Sequence, residues 1–383
     1  MKTSVVLEID NWLARELVGR GAALPMQADR SDFAELASSR IRFHGIALAL
    51  VETRVGLDGW PAALRETTVD EAQMQALWEE THRRTLVSMF DRLAENDIRT
   101  AAMKGTALAY SIYANPAWRR RGDTDLLVSE DRLDDARSVL QALGFRLLKP
   151  PHGLLFQESW YFDTGIGFEH VVDLHWRVLD SPRLQTVLQV DDVLHHSIPL
   201  TRLHPVARAV DPVRALVQGA FNQREHSLFG YGVEGKAKPE GDRLIWAMDY
   251  WYLCRAMDEH HWQRLVQLAD QHKIAELISS VLKTAQALCA DCVPLVALAQ
   301  LDSRRSGNVM AYLSKTSRRR RFASDLAACK GAGEKVSFIA RLALPDDDHL
   351  RATFPEAKKW PTFALRLRWL ARTISRHVKP YSS

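Results

Sequence analysis

The spacing of apolar positions changes along the chain. Through residue 70 they fall in short helical stretches, punctuated by Pro25 and by the Gly59-Trp60-Pro61 turn. From Val69 to Asn96, Met74, Leu77, Trp78, Leu86, Met89 and Leu93 recur at a helical spacing and predict one long helix. Short continuous apolar runs follow. Ile98–Met103 predicts a strand, and Gly105–Tyr113 a helix behind it. Asp125–Ser129 predicts a second, buried strand. Asp131–Leu143 predicts an amphipathic helix stopped by Gly144, and Phe145–Leu148 a third strand. Leu154–Phe162 and Phe168–Val178 predict a β-hairpin around Thr164-Gly165-Ile166-Gly167. After Pro205 the pattern is helical to residue 300; beyond a loop at Pro345–Asp348, a last helix is predicted near Pro361–His377. The fold class implied is α+β: a small mixed β-sheet core with helices, flanked by N-terminal and C-terminal helical regions. The divisions fall at residues 1–95, 96–204, 205–300 and 301–383.

Composition narrows the class. The chain has 383 residues, 46% hydrophobic and 26% charged, the balance of a soluble globular protein rather than a disordered or collagenous one. No apolar run reaches the ~18–20 residues of a membrane span. The first ten residues meet an acid after three apolar positions and form no secretory signal. Four cysteines make no disulfide framework, so a reducing, cytoplasmic setting is expected. Charge is uneven. Residues 301–383 carry 18 Lys/Arg against 7 Asp/Glu, a net +11, within a chain of net +4. Such a region suits an acidic or phosphorylated partner; the plainer reading is a set of solvated helix faces. Its densest cluster, Arg318–Arg321, lacks the interleaved aromatics of a single-strand nucleic-acid platform.

Three segments carry candidate chemistry. Met103-Lys104-Gly105-Thr106-Ala107 stands at a strand-to-helix junction. There a glycine permits close approach, the helix amides favour a phosphate, Thr106 adds a hydroxyl and Lys104 a point charge. In Gly122-Asp123-Thr124-Asp125-Leu126-Leu127-Val128, two carboxylates two residues apart share one face of an extended segment. Like charges so close call for a cation, and hard oxygens suit Mg²⁺. In Phe168–Trp176, alternation puts Phe168, His170, Val172, Leu174 and Trp176 on one face, with Glu169, Val171, Asp173 and His175 on the other. Asp173, inside an apolar strand, needs a partner, and a metal shared with Asp123 and Asp125 would supply one.

Taken in order, these segments resemble the polymerase-β type of nucleotidyltransferase fold. Lys104-Gly105-Thr106-Ala107-Leu108, Tyr113–Pro116, Arg119, Gly122–Val128, Leu143-Gly144-Phe145 and Val172–Trp176 resemble, more narrowly, the family of uncharacterised bacterial nucleotidyltransferases. Arg243–Asp249, Trp262 and Ala269 resemble that family's helical half. The resemblance implies two Mg²⁺ ions held by Asp123 and Asp125 with a nucleoside triphosphate, ATP by default, and Asp173 completing the acceptor-side metal site. It implies that Gly105 and Thr106 hold the β- and γ-phosphates while Lys104 and Arg119 offset their charge. The product would be a nucleotidylated small molecule, peptide, protein or RNA, plus pyrophosphate. Two departures stand out: Gly-Thr replaces the commoner Gly-Ser, and the stretch from Gly105 to Asp123 is long. His175 shares a face with Asp173 and is placed to orient it. Asp249, in an apolar helix, either faces the cleft or pairs with an arginine. The rival reading is a catalytically inactive module that binds a nucleotide or a partner. A third is nucleic-acid binding through residues 301–383.

Other motifs fall short. Gly230–Ala237 imitates a Walker A loop but ends in Ala237, has no buried strand before it and is followed by Pro239; it predicts a loop between helices, or a lid. Cys289-Ala290-Asp291-Cys292 lacks a second pair. His195-His196 and His260-His261 lack metal-ligand spacing, and Trp246, Trp251 and Trp262 lie in helical patterns that assign them to the core.

Overall fold

A computed structural model describes residues 4–19, 21, 23–26, 28–53, 57–149, 155–233, 236–238, 242–305, 307–315, 317–345, 347–357 and 359–378. The chain opens with helices α1 (Ser4–Leu17), α2 (Phe33–His44), α3 (Ala47–Thr53) and the 34-residue α4 (Ala62–Glu95). The central α/β segment follows: β1 (Thr100–Ala102), α5 (Lys104–Ser111), β2 (Asp123–Val128), α6 (Leu133–Ala142), β3 (Arg146–Lys149), β4 (Gln157–Asp163) and β5 (Glu169–His175). Next come α7 (Val190–His195), β6 (Ile198–Pro199), β7 (Arg208–Ala209) and α8 (Pro212–Phe229). A separate two-stranded pair, β8 (Tyr231–Val233) and β9 (Lys236–Lys238), leads into α9 (Leu244–Ala256), α10 (Glu259–Gln271) and α11 (Ala275–Leu288). The remaining helices are α12 (Leu295–Asp302), α13 (Asn308–Leu313), α14 (Arg318–Ala328), α15 (Gly331–Ala343), α16 (Asp347–Thr353) and α17 (Thr362–Val378).

The fold is α+β with helical flanks. Its seven-stranded mixed sheet has the order β3-β4-β5-β2-β1-β7-β6. β2 runs parallel to β5 and β1 parallel to β7, while the other pairings are antiparallel. Strand parity decides what each face does. Leu126, Val128, Val172 and Leu174 point into one core with Leu86, Met89, Phe90 and Leu93 of α4 and Ala136, Val139 and Leu140 of α6. The other face gives Ala101 and Leu127 to a larger core built from α1–α3 and α8–α13. Towards the carboxylate-bearing end of β2 and β5, that second face borders a cleft. The apolar ends of the strands are therefore clamped on both sides, and the polar ends are held on a rigid base.

Several expectations need correction. The long helix begins at Ala62, and Met74 and Leu77 are 54% and 56% exposed, whereas Gln75, Glu79 and His82 are buried. The first part of α4 lies against polar groups under the cleft, so its buried stripe is polar. The two-residue strands β6 and β7 are too short to leave a periodic signal. Gly230–Ala237 overlaps the β8–β9 pair, which ends at Lys238; Glu234, Gly235 and Pro239 lie outside the described residues, as does Leu154 of the predicted hairpin. Asp347–Thr353 is helical rather than a loop. Trp246 and Trp262 are buried, but Trp246 also lines the cleft and Trp251 is half-buried. Not all the basic charge of residues 301–383 faces solvent. Arg321 is buried, 2.6 Å from Glu225 Oε2 and stacked over Phe229 and Tyr312, and Arg341 lies 3.9 Å over Phe156. No helix among the described residues is long and apolar enough to cross a membrane.

Candidate active site

The register of β2 against β5 assembles the acidic centre. Asp125 is paired with Asp173, Asp123 with Val171, and Leu127 with His175. Residues two apart share a face, so Asp123, Asp125, Asp173 and His175 all project towards the cleft side of the sheet. One ligand atom each from Asp125, Asp173 and His175 lies within 4.8 Å of the others. His175 Nε2 donates to Asp125 Oδ1 at 2.9 Å, so the histidine steadies Asp125 rather than Asp173. Lys104 Nζ donates to the same oxygen at 2.5 Å. Asp173 Oδ2 accepts from Gln157 Nε2 at 3.1 Å, while its Oδ1 is buried without a hydrogen-bond partner. An orphaned carboxylate oxygen beside a second carboxylate and an imidazole suits a hard divalent cation.

Electrostatics separate the three acids. Burial, then the charges of Asp125 and Asp173, push Asp123 up to about 7. Burial also pushes on Asp125, but Lys104 and His175 outweigh it and hold that carboxyl well below the usual range. Asp173 is raised by burial and by Asp125. Burial works against the Lys104 ammonium, yet Asp125 overrides it and raises its pKa. Lys104 thus supplies a positive charge in contact with Asp125. It does so from a left-handed backbone conformation, φ +46°, which costs a non-glycine residue about 1 kcal/mol.

The nominated phosphate-side residues divide. Gly105 lines the cleft. A Cβ there would lie 3.3 Å from both Cβ and Cδ of Arg121, so any larger residue would have to push that arginine aside by a few tenths of an ångström. Thr106 is 1% exposed. Its hydroxyl meets Thr124 Oγ1 at 2.8 Å and accepts from Arg121 Nε at 2.9 Å, which turns it into the protein. Arg119 borders the cleft, but its Nε donates to both Asp249 oxygens, at 2.7 and 3.0 Å. Tyr113 donates to the same carboxylate at 2.6 Å. Asp249 is therefore the partner of an arginine, and it ties α9 to the segment before β2.

Beneath the carboxylates runs a buried polar relay. His82 Nε2 lies 2.7 Å from Thr124 Oγ1, and Arg121 pairs with Glu79 at 2.7 and 2.8 Å, with Tyr110 donating to Glu79 at 2.5 Å. Burial, then Arg121 and His170, hold His82 well below the usual histidine range, so this layer is neutral at the imidazole. The relay explains the polar stripe on α4. It fixes Thr124, the residue between the two aspartates.

The cleft encloses about 1040 Å³. Sequence reasoning missed Arg42, Arg120 and Arg243 on its wall. The run Arg119-Arg120-Arg121 was the available signal: Arg119 pairs with Asp249 and Arg121 with Glu79, while Arg120 pairs with Glu71 on the cleft wall.

The chain belongs to the uncharacterised nucleotidyltransferase family, whose model matches residues 29–290. The matched segment spans the acidic centre, the cleft wall and the helices behind them. No curated protein matches the chain.

Proposed function

We propose that this nucleotidyltransferase moves a nucleoside monophosphate, by default AMP from ATP, onto a hydroxyl or phosphate oxygen with Mg²⁺ held at Asp125, Asp173 and Asp123. In that reaction the acceptor oxygen bonds to the α-phosphorus. The bond from that phosphorus to the β-bridging oxygen breaks, and pyrophosphate leaves. One observation carries the reading: ligand atoms of Asp125, Asp173 and His175 lie within 4.8 Å of one another, with Asp173 Oδ1 buried and unpartnered. Bound Mg²⁺ would polarise the phosphoryl oxygens and acidify the acceptor hydroxyl. The chain's own residues do the rest. Asp173 faces the acceptor side and takes its proton. His175 keeps Asp125 ionised and oriented, and Lys104 balances phosphate charge once a metal shares its carboxylate. The acceptor is taken to be acidic or phosphorylated, in keeping with the basic C-terminal region.

The test is pyrophosphate release with each NTP and Mg²⁺ in the presence of a cell lysate as the source of acceptors. The wild type should turn over, and an Asp123→Asn/Asp125→Asn double variant that is still folded at the assay temperature should not. Equal turnover in that variant overturns the metal assignment. NTP binding that needs no Mg²⁺ and yields no pyrophosphate favours the inactive binding module.

A further inference from the structure

Three arginines from separate parts of the chain line the cleft. Arg42 lies in the last turn of α2, Arg120 precedes β2 and Arg243 precedes α9, and all three line the cavity. The carbonyl end of α2 gathers them. Arg120 Nη1 donates to the Arg42 carbonyl at 3.4 Å, and Arg243 Nε donates to the Phe43 carbonyl at 2.6 Å. Gly45 makes the gathering possible. Its φ is +70°, and a Cβ there would lie 2.9 Å from Arg243 Nη2 and 3.2 Å from Arg120 Cβ.

The corner is braced from behind. The Leu244 amide donates to His44 Nδ1 at 3.0 Å, which leaves Nε2 to donate to Asp10 Oδ1 at 2.8 Å. Asp10 also receives both forks of the buried Arg40, at 2.8 and 2.9 Å. Apart from the three catalytic-face aspartates, the one acid lining the cleft among the described residues is Glu71, with Oε1 2.6 Å from Arg120 Nη1. Three arginines, two of them held by backbone carbonyls and one of these paired with Glu71, thus line the cavity, an arrangement suited to a multiply charged, oxygen-rich anion.

We infer that Arg42, Arg120 and Arg243 form the subsite for the β- and γ-phosphates of the NTP donor. This rests on the donor reading above and assigns its polyphosphate grip to residues largely outside the α/β core. The nominated alternatives are engaged elsewhere: Thr106 with Thr124 and Arg121, Arg119 with Asp249. Arg120 is within reach of the acidic centre. Arg120 stands three residues before Asp123, at most ~10 Å of extended chain, and a long arginine side chain and a triphosphate bridge that span together.

The experiment measures Mg²⁺-dependent binding of an α,β-methylene NTP analogue, of the matching NMP and of inorganic tripolyphosphate. The proteins are wild type, Arg42→Ala, Arg42→Lys and Arg243→Ala, each checked by thermal melting. Arg42 is exposed, so its replacement leaves the fold intact. Arg42→Ala should bind the NTP analogue and tripolyphosphate about tenfold more weakly, the loss of one charge-assisted contact, with NMP affinity unchanged and partial recovery in Arg42→Lys. A wild type that binds the NTP analogue while Arg42→Ala and Arg243→Ala bind it equally well overturns the subsite and leaves the donor reading standing. Equal weakening of NMP and NTP also overturns it. A wild type that binds tripolyphosphate but no NTP overturns the donor reading and the subsite together.

Discussion

Lys104→Met is the most informative single perturbation. In the protein the ammonium lies 2.5 Å from Asp125 Oδ1, with Lys104 32% exposed and Asp125 6%. At an effective dielectric near 20 such a contact is worth about 7 kcal/mol before the cost of stripping water from the ammonium. Removing one member of a buried pair costs about 3–5 kcal/mol, and the lysine's partial exposure reduces that to about 2–3 kcal/mol. Methionine keeps the stem and removes the charge, which leaves three carboxylates facing one imidazole. Divalent cation should then restore what the ammonium supplied. Binding at about 100 times the dissociation constant returns about 2.7 kcal/mol, and the variant's metal no longer competes with a resident ammonium. The assay is urea unfolding of both proteins in EDTA and in saturating Mg²⁺. Lys104→Met should be clearly less stable in EDTA and should gain more from Mg²⁺ than the wild type does. Equal stability in EDTA, or equal Mg²⁺ increments, would refute the picture of a lysine holding the metal's place.

Three further outcomes are expected. Asp249→Asn should cost about 3–5 kcal/mol in urea unfolding, because it leaves the buried Arg119 guanidinium without its counter-charge; an unchanged midpoint contradicts the pairing. Thr106→Val should lower stability by about 1–2 kcal/mol and leave the KM for NTP unaltered, and a raised KM at full stability would return this hydroxyl to the phosphates. Asp123 titrates at about 7 in the folded protein, above its ordinary value, so its contribution to metal-free stability is complete in acid and fades as pH climbs from about 4 through about 7. EDTA-treated wild type should lose stability across that window and Asp123→Asn should lose less; parallel profiles for the two would contradict the shift.

What could be read from the sequence follows the range of the interactions involved. The strands of the central segment were legible because Leu126, Leu127 and Val128, or Val172 and Leu174, form short apolar runs or alternations of the length that buried strands show. Strand parity likewise put Asp123 and Asp125 on one face of their strand, and Asp173 and His175 on one face of theirs, before any pairing was known. The register was not legible. That Asp125 rather than Asp123 stands opposite Asp173 is decided by the parallel alignment of two strands separated by a hairpin. The buried hydroxyl of Thr106 and the identity of the arginine that pairs with Asp249 were hidden for the same reason. Both depend on partners 15 to 130 residues away. On α4 the apolar rule misled at Met74 and Leu77, since the groups beneath that turn are Arg121 and Thr124, and polar residues meet them best. The three-arginine wall is assembled by Gly45 and the end of α2, features that carry no motif of their own.

The most direct measurement is an anomalous-scattering map of crystals grown with Mn²⁺ and a non-hydrolysable NTP. A manganese peak should lie about 2.2 Å from carboxylate oxygens of both Asp125 and Asp173, with the α-phosphate as a further ligand. A nucleotide bound elsewhere, or a cleft whose carboxylates ligate no metal with the NTP present, would contradict the site.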